Sequence, residues 1–313
     1  MNYRHVFHAG NFADLVKHGA LTTLMAQLTA KGPPLTVIDT HAGRGLYDLA
    51  GAEAKKSGEA EAGIVQLMRA ADAPPEFGRL KAAVAALNGG GEVRRYPGSP
   101  WLIAEALRTA DRYVACELRA DEHEALRGVL MRGRQNVRTL CVDGYKAAFA
   151  ECPREGRVLV LIDPPFEQSD DYARIVETLA ALRVRNPAAQ ALVWLPVKDL
   201  ETLDSFLRDL EDEVAAPMTV AECRVRPLSD PMKMNGCALV LVNGPDLSAP
   251  LAAICGWVAQ ALGADEILRE RLGLGEFGGV EKRHGEVPVR EIVRRSITPG
   301  FASQLRNYCG ESG

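Results

Sequence analysis

The sequence predicts an α/β protein built around an open sheet, and three observations support this class. A continuous apolar run, Arg157 to Ile162, has the length and branching of a buried parallel strand, and an acid and two prolines end it. Further short apolar runs alternate with segments of helical periodicity along the chain. Several of these runs also end in an acid, at the strand edge where open α/β sheets bind ligands.

The composition bounds the class of protein. The chain has 313 residues, of which 47% are hydrophobic, enough for a large core in one domain or one domain with an insertion. The formal net charge of -4 gives no overall positive field, so any contact with a polyanion must be local. There is no leader-like apolar segment and no window of about 18 apolar residues. We therefore expect a cytoplasmic protein without membrane spans. The seven cysteines, spread singly and without metal-ligand spacing, are expected to be reduced core thiols.

The first eleven residues are dense in groups that bind nucleic acid. Tyr3 and His5 stand among further aromatic, imidazole and guanidinium side chains in a segment without clear periodicity. Such groups stack on bases and contact phosphate, although a strap that packs its aromatic side chains on the core explains the segment equally well. Asn11 is placed to cap the helix that follows.

The first helix is predicted over residues 12–30, where apolar residues recur at intervals of three and four. Lys17 and His18 fall towards the edge of its apolar face. A histidine at such an edge is most often a half-exposed side chain rather than a ligand. The segment Lys31-Gly-Pro-Pro ends the helix.

A short strand over 35–39 leads into a glycine-containing turn that carries His41, Gly43 and Gly45. The turn after the first strand of an α/β sheet is the usual loop for a nucleotide cofactor, because glycine lets the backbone approach a ligand closely. The third glycine of the dinucleotide fingerprint is missing. The turn therefore fits a mononucleoside-like cofactor better than a pyrophosphate.

The pattern changes over residues 48–96, where helical segments near 60–71 and 76–88 are separated by Pro and Gly breaks. We interpret these residues as a helical insertion, either a lid that grips the substrate or a surface addition. The predicted core is then 1–47 with 97–272. Residues 273–313 form a C-terminal extension of unknown role, whose basic residues either contact RNA phosphates or form an ordinary charged terminus.

Three predicted strands, over 112–117, 137–143 and 157–163, end in Glu117, Asp143 and Asp163. Each acid alone is more often a surface residue, but their coincidence places three carboxylates along one edge of the sheet. Carboxylates in that position can accept hydrogen bonds from the ribose of an adenosine and favour a cationic cofactor. Gly144 follows one of these acids, and Ser99 lies at or beside the cap of a helix that runs to about residue 109.

The corner after the apolar strand is the most informative stretch. Pro164 and Pro165 fix the backbone and remove two N–H donors, which leaves a rigid turn that presents carbonyl oxygens. Asp163 offers only acceptors when ionised, and Phe166 adds an aromatic face. The combination predicts a receptor for a planar group that bears an NH2.

The remaining strands are predicted over 190–196, 220–225 and 237–243, the last two as a closing pair joined by a turn over 229–236. Helices are expected across 199–213 and within 244–272. A dehydrogenase is disfavoured by the incomplete glycine fingerprint.

The seven strands and their helices resemble the Rossmann-like sheet of class I S-adenosylmethionine-dependent methyltransferases, with a small helical insertion. The corner at 163–166 resembles the (D/N/S)PP(Y/F/W) motif of methyltransferases that act on exocyclic nitrogens. The segments MNYRHVFHAGNFADLVKH, IDTHAGRGLYDL, YPGSP and LIDPPFE together resemble the RlmJ family, which methylates N6 of one adenine in bacterial 23S ribosomal RNA. The resemblance covers about residues 2–245. Phe166 stands where many relatives have tyrosine, and the tail after about 273 has no counterpart.

The resemblance implies a set of roles. The S-adenosylmethionine site is implied at His18, His41, Ser99, Glu117, Asp143, Gly144 and Asp163, with Glu117 on the ribose and Asp143 and Gly144 on the adenine. Asp163 and the Pro164 carbonyl would accept the hydrogens of the target amine while Phe166 stacks on the base. Tyr3, His5 and Lys17 would meet the RNA. We expect a monomer that needs no metal.

Two alternatives stay open at this point. The same corner would serve an adenine-N6 methyltransferase that acts on DNA or on another RNA. The same fold would also serve a non-catalytic protein that binds RNA or senses adenosine. The intact Asp163 corner argues against the non-catalytic reading.

Overall fold

The computed structural model of the protein describes residues 7–131, 136–228, 234–263 and 289–292. Within these residues one sheet of eight strands has the order β10-β8-β9-β7-β6-β1-β4-β5, and β2 pairs with β3 in a separate two-stranded sheet. The strands are β1 (Leu35–Asp39), β2 (Leu46–Asp48), β3 (Arg95–Pro97), β4 (Arg112–Cys116), β5 (Val137–Leu140), β6 (Arg157–Ile162), β7 (Gln190–Val197), β8 (Met218–Arg224), β9 (Gly236–Val242) and β10 (Val289–Ile292).

Ten α-helices accompany these strands in the described part of the chain. They are α1 (Phe12–Ala30), α2 (Ala52–Ser57), α3 (Gln66–Arg69), α4 (Gly78–Leu87), α5 (Ser99–Ala106), α6 (Ala120–Leu130), α7 (Gly144–Glu151), α8 (Asp171–Arg185), α9 (Leu200–Glu213) and α10 (Ser248–Leu262). Glu61–Val65 forms a π-helical segment that continues into α3, and Pro75–Phe77 forms a 3₁₀ turn before α4.

The sheet is parallel from β5 to β7 and antiparallel beyond it. Parallel pairing joins β4 to β5, β1 to β4, β1 to β6 and β6 to β7, so the carboxyl ends of these strands share one edge. β9 runs antiparallel to β7 and to β8, which confirms the predicted closing pair. Apolar clusters lie on both faces; α1, α5 and α10 pack on one, and α8 and α9 on the other. Burial on both faces explains the continuous apolar run of β6.

Three predictions about the elements need correction. β5 ends at Leu140, so Asp143 lies beyond the strand and caps α7 instead. α5 ends at Ala106 rather than near residue 109, while Ser99 is its first residue, beside the N-cap Gly98 as predicted. Cys141 is exposed, while the other five described cysteines are buried. The β2–β3 pair and β10 were not predicted.

Residues 48–96 pack directly against the rest of the protein. Ile64, Leu67 and Phe77 are fully buried in the same apolar cluster as α1 and α10. The Gly10 carbonyl accepts a hydrogen bond from the backbone N–H of Ile64 at 2.8 Å. The division of the chain into domains stays a prediction. Of the predicted C-terminal extension only β10 is described, and it pairs antiparallel with β8 at the edge of the sheet.

Among the described helices, none has both the length and the apolar content that crossing a membrane requires.

Candidate active site

A cleft of about 370 Å³ lies at the carboxyl ends of the parallel strands. Every predicted site residue that the structure describes lines it: Lys17, His18, His41, Ser99, Glu117, Asp143, Gly144, Asp163, Pro164 and Phe166. Tyr3 and His5 lie outside the described residues. Parallel pairing explains the convergence, because the turns that follow neighbouring strands meet at one edge.

The corner of the cleft is formed by the residues that follow β6. Pro164 is buried, and Phe166 adopts the left-handed region with φ 51°, which is costly for a residue with a side chain. The Phe166 ring lies 4.9 Å from that of Tyr172 and 6.0 Å from that of Trp194. These contacts hold the strained corner in place, with the aromatic face beside Asp163.

Lys17 is the direct partner of Asp163. Its ammonium donates to Oδ2 of Asp163 at 2.5 Å and lies 3.0 Å from Oδ1 of Asp14. Burial alone would lower the pKa of Lys17, but the two carboxylates raise it well above its ordinary value. Among the described residues, Oδ1 of Asp163 has no hydrogen-bond partner and is the acceptor left for a ligand.

Lys17 and His18 are both buried rather than at a half-exposed helix edge, which corrects that expectation. Lys17 is covered on the side of the sheet by Asp163 and Trp194, and α1 also packs against α4, α5 and α10. His18 Nδ1 lies 2.7 Å from the hydroxyl of Tyr96. The ammonium of Lys17 is engaged by two carboxylates. Its contact with RNA stays a prediction.

Glu117 follows β4 at the opposite end of the cleft. Its Oε2 accepts from the backbone N–H of Gly43 at 2.9 Å, and its Oε1 accepts from that of Arg119 at 2.8 Å. Burial raises its pKa, against the effect of these hydrogen bonds. A carboxylate has about four lone-pair sites, so two acceptor positions remain for a ligand.

Asp143 has a partner far along the chain. Its Oδ1 accepts from the backbone N–H of Tyr145, and its Oδ2 accepts from Arg174 at 2.5 Å. The guanidinium also lies 4.3 Å from the centre of the Tyr145 ring. Burial opposes ionisation of Asp143, but the hydrogen bond and charge of Arg174 outweigh it and lower the pKa.

Gly144 is where α7 packs on the turn after β1. A Cβ at this position would lie 1.8 Å from the carbonyl oxygen of Thr40, a distance that only glycine avoids. Gly144 therefore lets the start of α7 pack directly against the turn after β1, which is the turn predicted to bind the cofactor.

Asp39 lies beneath the cleft as a fully buried carboxyl. Ser99 donates to it at 3.0 Å, Tyr113 at 3.2 Å and the backbone N–H of His41 at 3.3 Å. Burial raises its pKa to about 7, and the charge of Asp163 adds to this, while the hydrogen bonds oppose it. The pKa of His41 is lowered to about 3 because burial disfavours the imidazolium. His41 is therefore a neutral ring at neutral pH.

Four residues of the site were not singled out by the sequence. Asp14 and Asp39 were detectable, since Asp14 is three residues from Lys17 on one helix and Asp39 ends a strand like the other acids. Trp194 and Arg174 carry no such signal. Trp194 lies inside an apolar strand, and Arg174 reaches Asp143 across 31 residues of sequence.

The arrangement separates two kinds of binding within one cleft. Glu117, Asp143 and the backbone around Gly43 and Gly144 suit a cationic nucleoside at one end. The free oxygen of Asp163 suits a planar amine at the other end, beside aromatic rings. Among the described residues, no group of three or more His, Cys, Asp or Glu is placed to hold a metal ion.

Comparison with known proteins gives concordant matches. The family model described as "Ribosomal RNA large subunit methyltransferase D, RlmJ" matches residues 32–270. The ribosomal RNA large subunit methyltransferase J of Haemophilus influenzae is 35% identical over 247 residues, which are 78% of this chain and 88% of the relative. The Escherichia coli protein of the same name is 32% identical over 264 residues, covering 84% and 94%. A solved structure from Legionella pneumophila is 29% identical, with a TM-score of 0.71 and coverage of 86% and 96%.

Proposed function

The chain belongs to the RlmJ family of ribosomal RNA large subunit methyltransferases, and from that premise we propose that it methylates the N6 amine of a specific adenine in 23S ribosomal RNA. The observation that carries the proposal is the Asp163-Pro164-Pro165-Phe166 corner, which lies in one cleft with Glu117 and Asp143. The predicted Rossmann-like methyltransferase fold agrees with the strand order and with the family match.

The cofactor of the proposal is S-adenosylmethionine, and the residues of the cleft fit it. Glu117 would hold the ribose hydroxyls through its two remaining acceptor positions, and Asp143 and Gly144 would border the adenine. His18, His41 and Ser99 line the same cleft and would border the methionine end of the cofactor. When bound, S-adenosylmethionine supplies an electrophilic methyl group on a sulfonium.

The target amine needs help from the protein, because its lone pair is delocalised into the adenine ring. Oδ1 of Asp163 and the carbonyl of Pro164 accept its two hydrogens, which draws them out of the ring plane and frees the lone pair. Asp163 is also the carboxylate placed to take the proton that N6 must lose.

The base itself is held by aromatic rings. Phe166 and Trp194, 6.0 Å apart and inclined at 60°, form an L-shaped aromatic corner beside Asp163. One ring would stack on the face of an extruded base while the other borders its edge. Stacking of this kind tolerates any base, so the acceptors select a base that carries an exocyclic amine.

Replacement of Phe166 tests this corner. We expect Phe166→Ala to raise the KM for RNA and lower kcat, with a combined loss of about 10-fold to 100-fold, because stacking contributes about 1–3 kcal/mol per base. Steady-state methyl transfer at saturating S-adenosylmethionine measures this loss. Phe166→Tyr keeps the ring and should stay within about threefold of wild type. Equal activity of Phe166→Ala and wild type would show that the Phe166 ring does not contribute to binding of the base.

Replacement of Glu117 tests the cofactor end. Glu117→Ala should weaken binding of S-adenosylmethionine by about 10-fold or more, since hydrogen bonds to a charged acceptor contribute about 1.5–3 kcal/mol. Titration calorimetry measures the affinity. Asp121, an exposed acid beside the same turn, gives the matched control Asp121→Ala, for which no change is expected. An unaltered affinity in Glu117→Ala would place the ribose elsewhere.

The function as a whole is tested by methyl incorporation. Purified protein and labelled S-adenosylmethionine are incubated with unmodified 23S RNA and, separately, with DNA of matched sequence. We expect label in RNA at N6 of adenine and far less in DNA. Preferential labelling of DNA would favour a DNA methyltransferase, and cofactor binding without label in either substrate would favour a non-catalytic protein. As an enzyme of ribosomal RNA, the protein is proposed to act in the cytoplasm as a monomer.

A further inference from the structure

The acceptor Asp163 belongs to a row of three charged side chains. Lys17 lies between Asp163 and Asp14, 2.5 Å from Oδ2 of the first and 3.0 Å from Oδ1 of the second. Asp14 and Lys17 are almost completely buried, with 2% and 6% of their side chains exposed. Water therefore screens these charges poorly, and their sum contributes strongly to the potential at the target amine.

The sum of charges matters because of the direction in which charge moves. In the proposed reaction N6 would gain the methyl group that the sulfonium of S-adenosylmethionine gives up, which leaves a neutral thioether, and N6 becomes more positive before it loses a proton to Asp163. A negative acceptor stabilises that change more strongly than a neutral one. Asp163 paired with Lys17 alone would have a net charge of zero. With Asp14 included, the row has a net charge of -1.

We propose that Asp14 is a positioning residue for methyl transfer, which offsets the charge of Lys17 so that Asp163 stays electrostatically negative towards the target amine. The inference rests on the proposed function. Lys17 then orients Asp163 by holding Oδ2, and leaves Oδ1 for the base. Asp14 never touches the substrate and acts through Lys17.

The position of Asp14 suits this role. Its backbone N–H donates to the capping Asn11, and its Oδ2 accepts from the N–H of Gly10 at 2.9 Å. The carboxylate is thereby fixed one turn before Lys17 on α1, at the i,i+3 spacing that brings the two side chains together. The same contacts mean that Asp14 also has a structural role, which the test must separate from the charge effect.

The test is a double-mutant cycle on single-turnover methyl transfer with 23S RNA. Asp14→Asn keeps the size and the acceptor for Gly10 but removes the charge, and should lower the rate by about 10²-fold. The affinity for S-adenosylmethionine, measured by calorimetry, should stay within about threefold. Lys17→Met alone loses the contact that orients Asp163, so the double variant is compared with Lys17→Met: Asp14→Asn should slow transfer much less in that background than in the wild type, because no positive charge is left to offset.

A matched control is Asp111→Asn. Asp111 is 1% exposed and paired with Arg108, but it lies outside the cleft at the other end of β1. The Asp111→Asn variant should unfold at a lower temperature than wild type. Its rate of methyl transfer should be unchanged at a temperature where the protein is folded.

Different outcomes would contradict the role of Asp14 and the proposed methyl transfer to 23S RNA. An equal loss of rate from Asp14→Asn in the wild type and in the Lys17→Met background would overturn the charge balance and leave Asp14 a structural residue. Wild-type protein without methyl transfer to 23S RNA would instead overturn the proposed function.

Discussion

Asp163→Ala is expected to abolish methyl transfer, with a loss of at least about 10³-fold in kcat. The variant removes the acceptor that frees the lone pair of N6 and takes up its proton, and it leaves Lys17 pointing its charge at the amine. Single-turnover transfer to 23S RNA measures the loss, because it isolates chemistry from product release.

The control for this variant is its fold and its cofactor affinity. Lys17 keeps Asp14 as a partner, so the buried ammonium stays paired and thermal unfolding should shift only modestly. Asp163→Asn keeps the size of the side chain, but an amide NH2, which donates hydrogen bonds, replaces one carboxylate oxygen. This variant should be nearly as inactive as Asp163→Ala. Near-wild-type transfer by a well-folded Asp163→Ala protein would contradict the proposed mechanism.

Gly144→Ala is expected to have the second largest effect, through packing rather than chemistry. The added methyl group would meet the carbonyl oxygen of Thr40 at 1.8 Å, and backbone on both sides must move to relieve the contact. The movement separates α7 from the turn after β1 and displaces Asp143 and His41. We expect a loss of about 3 kcal/mol or more in stability and a loss of cofactor binding in the protein that still folds.

Chemical denaturation and calorimetry measure the two effects. Gly128→Ala provides the control, since a Cβ at Gly128 on the surface of α6 meets nothing within 4 Å. That variant should be neutral or slightly stabilising, because alanine favours a helix. Wild-type stability and affinity in Gly144→Ala would mean that the Thr40 contact does not fix the site.

The parallel half of the sheet could be predicted because its strands are buried on both faces. β1, β4 and β6 read as continuous apolar runs bounded by acids or breakers, and each was predicted to within one residue at its carboxyl end. β5 was predicted too long, because Cys141 and Val142 continue the apolar run although they are exposed. β10 carries no such pattern, since its sequence VREI has two adjacent charged residues between two apolar ones.

The site could be predicted where its residues follow strands, and not where they come from other elements. Glu117 and Asp163 were identified from position alone, because the ends of parallel strands converge. The contact of Arg174 with Asp143 depends on how α8 lies against α7, and the inward position of Trp194 depends on the packing of β7. Both contacts depend on tertiary packing, which no local sequence pattern specifies. The burial of Lys17 likewise follows from tertiary packing, because Asp163 and Trp194 belong to segments far along the chain from α1.

The most direct test maps modified adenines in 23S ribosomal RNA by mass spectrometry in four backgrounds: wild type, a deletion strain, and the deletion strain that carries either the intact chain or Asp163→Ala. We predict a single N6-methyladenosine that is present in wild type, absent in the deletion strain, restored by the intact chain and not restored by the variant. Identical maps in wild type and deletion strain, or restoration by Asp163→Ala, would contradict the assignment.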